Sequence, residues 1–150
     1  MLQGSGEADH TDRLIRRKVS SSETMAPTKT RMRNKLTTLL SPDLNADFRR
    51  IFTDIGFEVI WSDDPNVLRK LASETKIDVA LEWQHDMNDF PVRDMLWQIG
   101  KRVPLIMSRN WRQGIWADEA ELWSCGYKAV VDVPFDLEEL IKTCERITGR

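Results

Sequence analysis

Ile77-Asp78-Val79-Ala80-Leu81-Glu82-Trp83 is the stretch whose reading decides the fold. It is short, nearly all apolar and bounded by polar residues. A strand with one wet face alternates apolar with polar side chains. A near-continuous apolar run reads instead as a strand covered on both faces, as in parallel sheets. The same kind of run recurs on either side. Leu36-Thr37-Thr38-Leu39-Leu40-Ser41 and Phe57-Glu58-Val59-Ile60-Trp61 read as the first two strands. Val103-Pro104-Leu105-Ile106-Met107-Ser108 and Tyr127-Lys128-Ala129-Val130-Val131-Asp132-Val133 read as the fourth and fifth. Pro104 sits near a strand start, where a missing N–H is tolerated.

Helical stripes lie between these runs. Pro42-Asp43 ends the first strand and starts a helix carrying Leu44, Phe48, Ile51, Phe52 and Ile55, closed by Gly56. Asp64-Pro65 reads as an N-cap followed by a first-turn proline, with Val67, Leu68, Leu71 and Ala72 as the stripe. Val92, Met95, Leu96 and Ile99 mark a third helix, and residues 117–125 a short fourth. Leu137, Leu140, Ile141, Cys144 and Ile147 share one face of the last helix, after Pro134-Phe135-Asp136. Five β–α units in series predict an α/β fold, a flavodoxin-like (βα)5 doubly wound five-stranded parallel sheet of order 2-1-3-4-5 over residues 35–150. A Rossmann arrangement lacks its main signature, because no glycine-rich loop follows the first strand.

Charge divides the chain in the same way. The net charge is −2, but residues 1–35 carry eight Lys/Arg against four Asp/Glu, whereas residues 36–150 carry fourteen against twenty. Residues 1–34 hold few large apolar side chains and are expected to be a flexible basic tail. Within it, Arg13-Leu14-Ile15-Arg16-Arg17-Lys18 has the composition of a short basic helical turn. No apolar run approaches the roughly 20 residues of a membrane span, and no hydrophobic signal segment is visible, so the expected location is the cytoplasm. Cys125 and Cys144 lack metal-ligand spacing and are expected to be free thiols on inward helix faces.

Three stretches resemble the receiver domain of two-component response regulators, the CheY-like family. Gly56-Phe57-Glu58-Val59 is similar to the family's step into strand two. Val103-Pro104-Leu105-Ile106-Met107-Ser108 is similar to its strand four. Val133-Pro134-Phe135-Asp136 is similar to its Lys-Pro-Phe step into the last helix. The resemblance implies a phosphorylation corner with two metal-binding acids, an aspartate nucleophile, a Thr or Ser, and a Lys. In this sequence those positions fall on Leu39 and Leu40, on Trp83, on Ser108 and on Val133. Only Ser108 keeps the family's chemistry, since Mg²⁺ needs oxygen ligands. Asp86, in the next loop, does not supply what leucines at the metal positions lack. Glu82 faces the other side of its strand from Trp83. It reads either as a built-in mimic of the phosphorylated aspartate or as a solvated strand-end carboxylate.

The expectation is therefore a degenerate, stand-alone pseudo-receiver with no enzymatic activity, no cofactor and no bound metal. It would signal by phosphorylation-independent protein–protein interaction in a two-component or related pathway, with a histidine kinase, another regulator or a transcription factor as partner. No output domain is expected after Arg150, so output is expected to act through a partner or a small ligand. The resemblance also implies a contact or homodimer surface on helix four, strand five and helix five. Six tryptophans are present. Trp97 and Trp123 are expected in the core, and Trp83 in the refilled corner against Leu39 or Leu40. Trp61, Arg109, Trp111, Arg112, Trp116 and Tyr127 are the candidate partner or ligand surface, since Trp and Arg concentrate at binding hot spots. His85, with Asp86 and Asp89 alone, is too poor a ligand set for a metal. Two rival readings stand beside this one: a small-molecule sensor at the carboxyl edge of the sheet, and weak nucleic-acid binding through the basic tail.

Overall fold

A computed structural model of the 150-residue chain describes residues 30–83, 91–110 and 119–149, together with Ile15 and Arg16; at 15, 16 and 110 it describes the backbone alone. Among the described residues, the two-residue strands Ile15–Arg16 and Phe135–Asp136 form a separate pair, and the five strands of one sheet alternate with five helices. These are β1 (Leu36–Leu40), α1 (Ala46–Asp54), β2 (Phe57–Ile60), α2 (Pro65–Glu74), β3 (Val79–Trp83), α3 (Pro91–Gln98), β4 (Leu105–Asn110), α4 (Glu119–Ser124), β5 (Tyr127–Val133) and α5 (Leu137–Thr148). These five strands form one parallel sheet in the order β2-β1-β3-β4-β5, the order expected from the sequence.

Local chemistry sets the helix ends. Asp64 caps α2 by accepting from Asn66 N at 2.9 Å, with Pro65 in the first turn. Asp136 caps α5 by accepting from Glu138 N and Glu139 N. The first helix begins later than its proline signal implied. Pro42 and Asp43 are used in a turn, in which Leu44 N donates to Ser41 O at 3.0 Å, and Asn45 then caps α1 through Phe48 N at 3.1 Å. Gly56 takes φ +115° after that helix, a conformation that side-chain-bearing residues rarely adopt. β4 starts two residues later than its apolar run, although Pro104 still accepts Ala80 N through its carbonyl at 2.9 Å.

The sheet separates two apolar layers. Leu36, Leu40, Phe48, Phe52, Val79, Leu81, Ile106, Val131, Phe135 and Leu140 belong to the layer under α1 and α5. Leu39, Leu68, Ala72, Ala80, Val92, Leu96, Met107, Leu122 and Tyr127 belong to the layer under α2, α3 and α4. Cys144 is buried in the first layer, Cys125 is half-buried against the second, and both are free thiols.

Trp97 and Trp123 are not in the core. They are 38 % and 46 % exposed. Each follows a buried leucine, Leu96 or Leu122, and one residue further along a helix turns the side chain by roughly 100°. The Trp97 ring instead contacts two guanidinium groups, with Arg93 at 5.0 Å and Arg102 at 4.5 Å from its centroid. Val67 and Leu71, assigned to the stripe of α2, are also exposed, whereas Leu68 and Ala72 are buried.

Ordered contacts extend upstream of residue 35. Met32 N donates to Ile55 O at 2.9 Å, and the Met32 side chain packs on the first layer. Ile15–Arg16 pairs in parallel with Phe135–Asp136. The rest of the expected tail, residues 1–14 and 17–29, lies outside the described residues.

Candidate functional site

The carboxyl ends of β1, β3, β4 and β5 meet at the corner where the resemblance places the phosphorylation chemistry. Register brings several of the named residues together. Leu40 is opposite Leu81, Trp83 is opposite Ser108, and Asn110 is opposite Val133. Directly opposed residues of parallel strands share a face, and successive residues change face.

Trp83 therefore joins the layer that holds Leu40. Its ring makes a tilted pair with Phe48 at 6.0 Å, and Phe48 meets Phe135 edge-on at 5.5 Å. Leu39 belongs to the opposite layer, so of the two leucines expected beside Trp83 only Leu40 shares its cluster. The strand's period of two residues separates the pair. Trp61, half-buried, closes the other flank. Its Nε1–H donates to Ser41 O at 3.2 Å, and Arg49 stacks 3.6 Å above its ring. Val133 is 2 % exposed. Ser108 is fully buried, and its hydroxyl donates to Glu82 O at 2.9 Å, so its proton serves the sheet itself.

This donor set does not fit the magnesium ion of the receiver family. The positions that the resemblance gives to the metal acids, Leu39 and Leu40, are buried leucines without a ligating oxygen. Among the described residues no three His, Cys, Asp or Glu side chains gather as a metal site. His85, Asp86, Asp89, Trp111, Arg112 and Trp116 lie outside the described residues.

Glu82 contradicts its reading as a solvated strand-end carboxylate. It is fully buried. Its Oε1 accepts from Val92 N at 3.2 Å, from Arg93 N at 3.3 Å and from the Tyr127 hydroxyl at 3.2 Å. The two amides belong to the first turn of α3, where N–H groups lack helical acceptors and the helix dipole favours an anion. Glu82 thus caps α3 from inside the protein. The sequence held half of this signal: once Trp83 faces α1, Glu82 must face α3. Nothing local to β3 marked Tyr127, 45 residues away, as its partner.

Tyr127 and Arg109 are corrected in turn. Tyr127 is 2 % exposed and offers no partner surface. As the first residue of β5 it falls on an inward position, and its hydroxyl is satisfied by Glu82. Burial first, and then the Glu82 carboxylate, push its phenol above the usual tyrosine range. Arg109 is 9 % exposed. It bonds Asp132 Oδ1 at 3.1 Å and lies 3.5 Å from Glu119 Oε2, tying β4 to β5 and α4. Of the expected surface set, Trp61 alone among the described residues keeps substantial exposure together with a position at the carboxyl edge.

This sheet order, with helices on both faces, defines a receiver-like fold. Solved structures agree. The receiver domain of a sensor histidine kinase from Pseudomonas aeruginosa, a crystal structure with a magnesium ion coordinated in its active-site cleft, matches with a TM-score of 0.57 and 21 % identity. The match covers 78 % of this chain and 100 % of that one. The signal receiver domain of an HD-domain-containing protein from Pseudomonas fluorescens matches with a TM-score of 0.53 and 13 % identity, covering 75 % of this chain and 94 % of that one. No protein-family model and no curated protein matches the sequence. Among the described residues no helix is long and apolar enough to cross a membrane.

Proposed function

We propose that this chain is a pseudo-receiver, a signalling domain that works through protein–protein contact without phosphorylation and without enzymatic activity. The observation that carries this reading is the packed corner. Trp83 stands against Phe48 in the apolar layer of Leu40, where the family has its nucleophile and metal acids. Phosphoryl transfer to a receiver needs a carboxylate nucleophile and a hydrated dication held by carboxylates. An indole and two leucines supply neither. A corner closed by side-chain packing also favours one fixed conformation, because a phosphoryl group has no differential contact by which to shift a population. The partner is then a protein that reads this fixed shape, such as a histidine kinase, a regulator or a transcription factor.

The test is incubation of the purified chain with acetyl phosphate, or with beryllofluoride, in the presence of Mg²⁺. Intact mass and tryptophan fluorescence are read before and after. Unchanged mass and unchanged emission are expected. A stable adduct on an acidic residue, Asp86 included, overturns the reading.

A further inference from the structure

At the junction of β5 and α5 a groove is lined by Val131, Asp132, Phe135, Asp136, Glu139 and Leu140. Three of its six lining residues are carboxylates and the other three are apolar. Asp132 is matched from the sheet side by Arg109, and Asp136 caps α5, while Glu139 is exposed. β5 is an edge strand of the sheet, so its outer backbone groups are free of neighbours within that sheet. Just past the end of β5, the chain pairs with itself in a separate two-stranded sheet. Ile15 and Arg16 align in parallel with Phe135 and Asp136, two residues of the groove wall. The sequence around this pair, Arg13-Leu14-Ile15-Arg16-Arg17-Lys18, carries four cations, no acid and two large aliphatic side chains. Charge and apolarity in residues 13–18 are thus complementary to the groove, and the backbone register is set.

We infer that the β5–α5 groove is a docking site for a basic extended segment, recognised by strand addition, and that its resident occupant is residues 13–18 of the same chain. Strand addition takes affinity from main-chain hydrogen bonds and selectivity from the side chains beside them. Here the selectivity comes from charge, the groove's carboxylates being opposite in sign to the basic segment. A partner with a similar basic strand must displace the resident segment, so the groove is regulated by its own tail. This inference deepens the protein-contact reading and rests on it for its biological use. The two tests read different places, one the groove and one the corner, so either can fail alone.

The experiment uses the full chain and a fluorescent synthetic peptide of residues 11–20. The wild-type chain is compared with Arg13→Glu/Arg16→Glu/Arg17→Glu, whose own segment is repelled from the groove. The variant is expected to bind the peptide at least about tenfold more tightly than wild type, with affinity falling as salt rises. Adding Glu139→Lys to the variant is expected to weaken that binding by about tenfold; circular dichroism verifies that both variants are folded. Equal binding by wild type and the triple variant, binding by neither, or indifference to Glu139→Lys overturns the inference. Concentration-dependent dimerisation of wild type that the triple variant abolishes places a second copy's segment in the groove and overturns the intramolecular assignment.

Discussion

The Tyr127 hydroxyl donates to Glu82 Oε1 at 3.2 Å, a buried contact from the first residue of β5 to the next-to-last residue of β3, across the intervening β4. The same oxygen accepts two amides of α3. One carboxylate thereby ties two strands and a helix start into a single unit, on the face of the sheet opposite the packed corner.

Removing that carboxylate leaves buried donors unsatisfied. Glu82→Ala is expected to destabilise the domain by about 2–4 kcal/mol, and Tyr127→Phe by about 1–3 kcal/mol, given the cost of orphaned buried groups and of lost bonds to charge. The two changes share one contact, so their combined cost is expected to fall short of the sum. Urea unfolding of the two single variants and the double variant measures this; strict additivity would deny the coupling.

Tyr127 is the chain's one tyrosine, so its titration is directly observable. Its folded value is raised by burial and by Glu82. The sign follows from linkage. A raised folded value contributes stability that is full below the unfolded tyrosine value of about 10 and is lost as the pH rises above it. Near-ultraviolet absorbance is expected to show no tyrosinate until alkaline unfolding, with both changes coinciding. In Glu82→Gln the phenol is expected to titrate at lower pH than in wild type.

Cys144 is expected to be the slow thiol. Burial pushes it up to about 12, with Glu145 adding to the effect. At pH 8 the folded chain therefore exposes little reactive Cys144 thiolate. Iodoacetamide is expected to label half-buried Cys125 first, and Cys144 only at the rate of unfolding, as peptide mapping would reveal. The raised value also places a stability loss between about pH 9 and about 12, the span from its ordinary value to its folded one.

Trp83→Asp puts a carboxylate where the resemblance places the nucleophile, without the partners it would need. We expect no phosphoryl incorporation from acetyl phosphate, because Leu39, Leu40 and Val133 are unchanged. A loss of about 2–4 kcal/mol is expected from breaking the Phe48 contact and introducing a carboxylate at a half-buried site. Intact mass and thermal unfolding check the two halves separately.

The alternation of short apolar runs with helical stripes was enough to specify the α/β class and the strand order. Those features depend on local periodicity and on the few topologies that right-handed crossovers permit. Positions identified by counting along strands, such as Trp83 and Ser108, also met at one edge of the sheet. Exposure was only partly legible: Val67 and Leu71 are exposed even on a ten-residue helix. Trp97 and Trp123 lie on helices of eight and six residues, too short for a single turn's phase to be assigned from spacing.

What tertiary structure alone decided is which distant residues share an environment. Glu82 and Tyr127 lie 45 residues apart, and each looked polar and edge-placed in its own strand. Sequence fixes a side chain's face, through the two-residue period of the strand, but not whether that face is covered. Burial of Glu82 follows from α3 docking over it, and the carboxylate is tolerated because that docking delivers two amides and a phenol to one oxygen. The refilled corner has the same logic. The residues at the positions the resemblance gives to the acids were readable one by one, whereas the placement of Trp83 with Leu40, and of Leu39 on the other side of the sheet, came from packing.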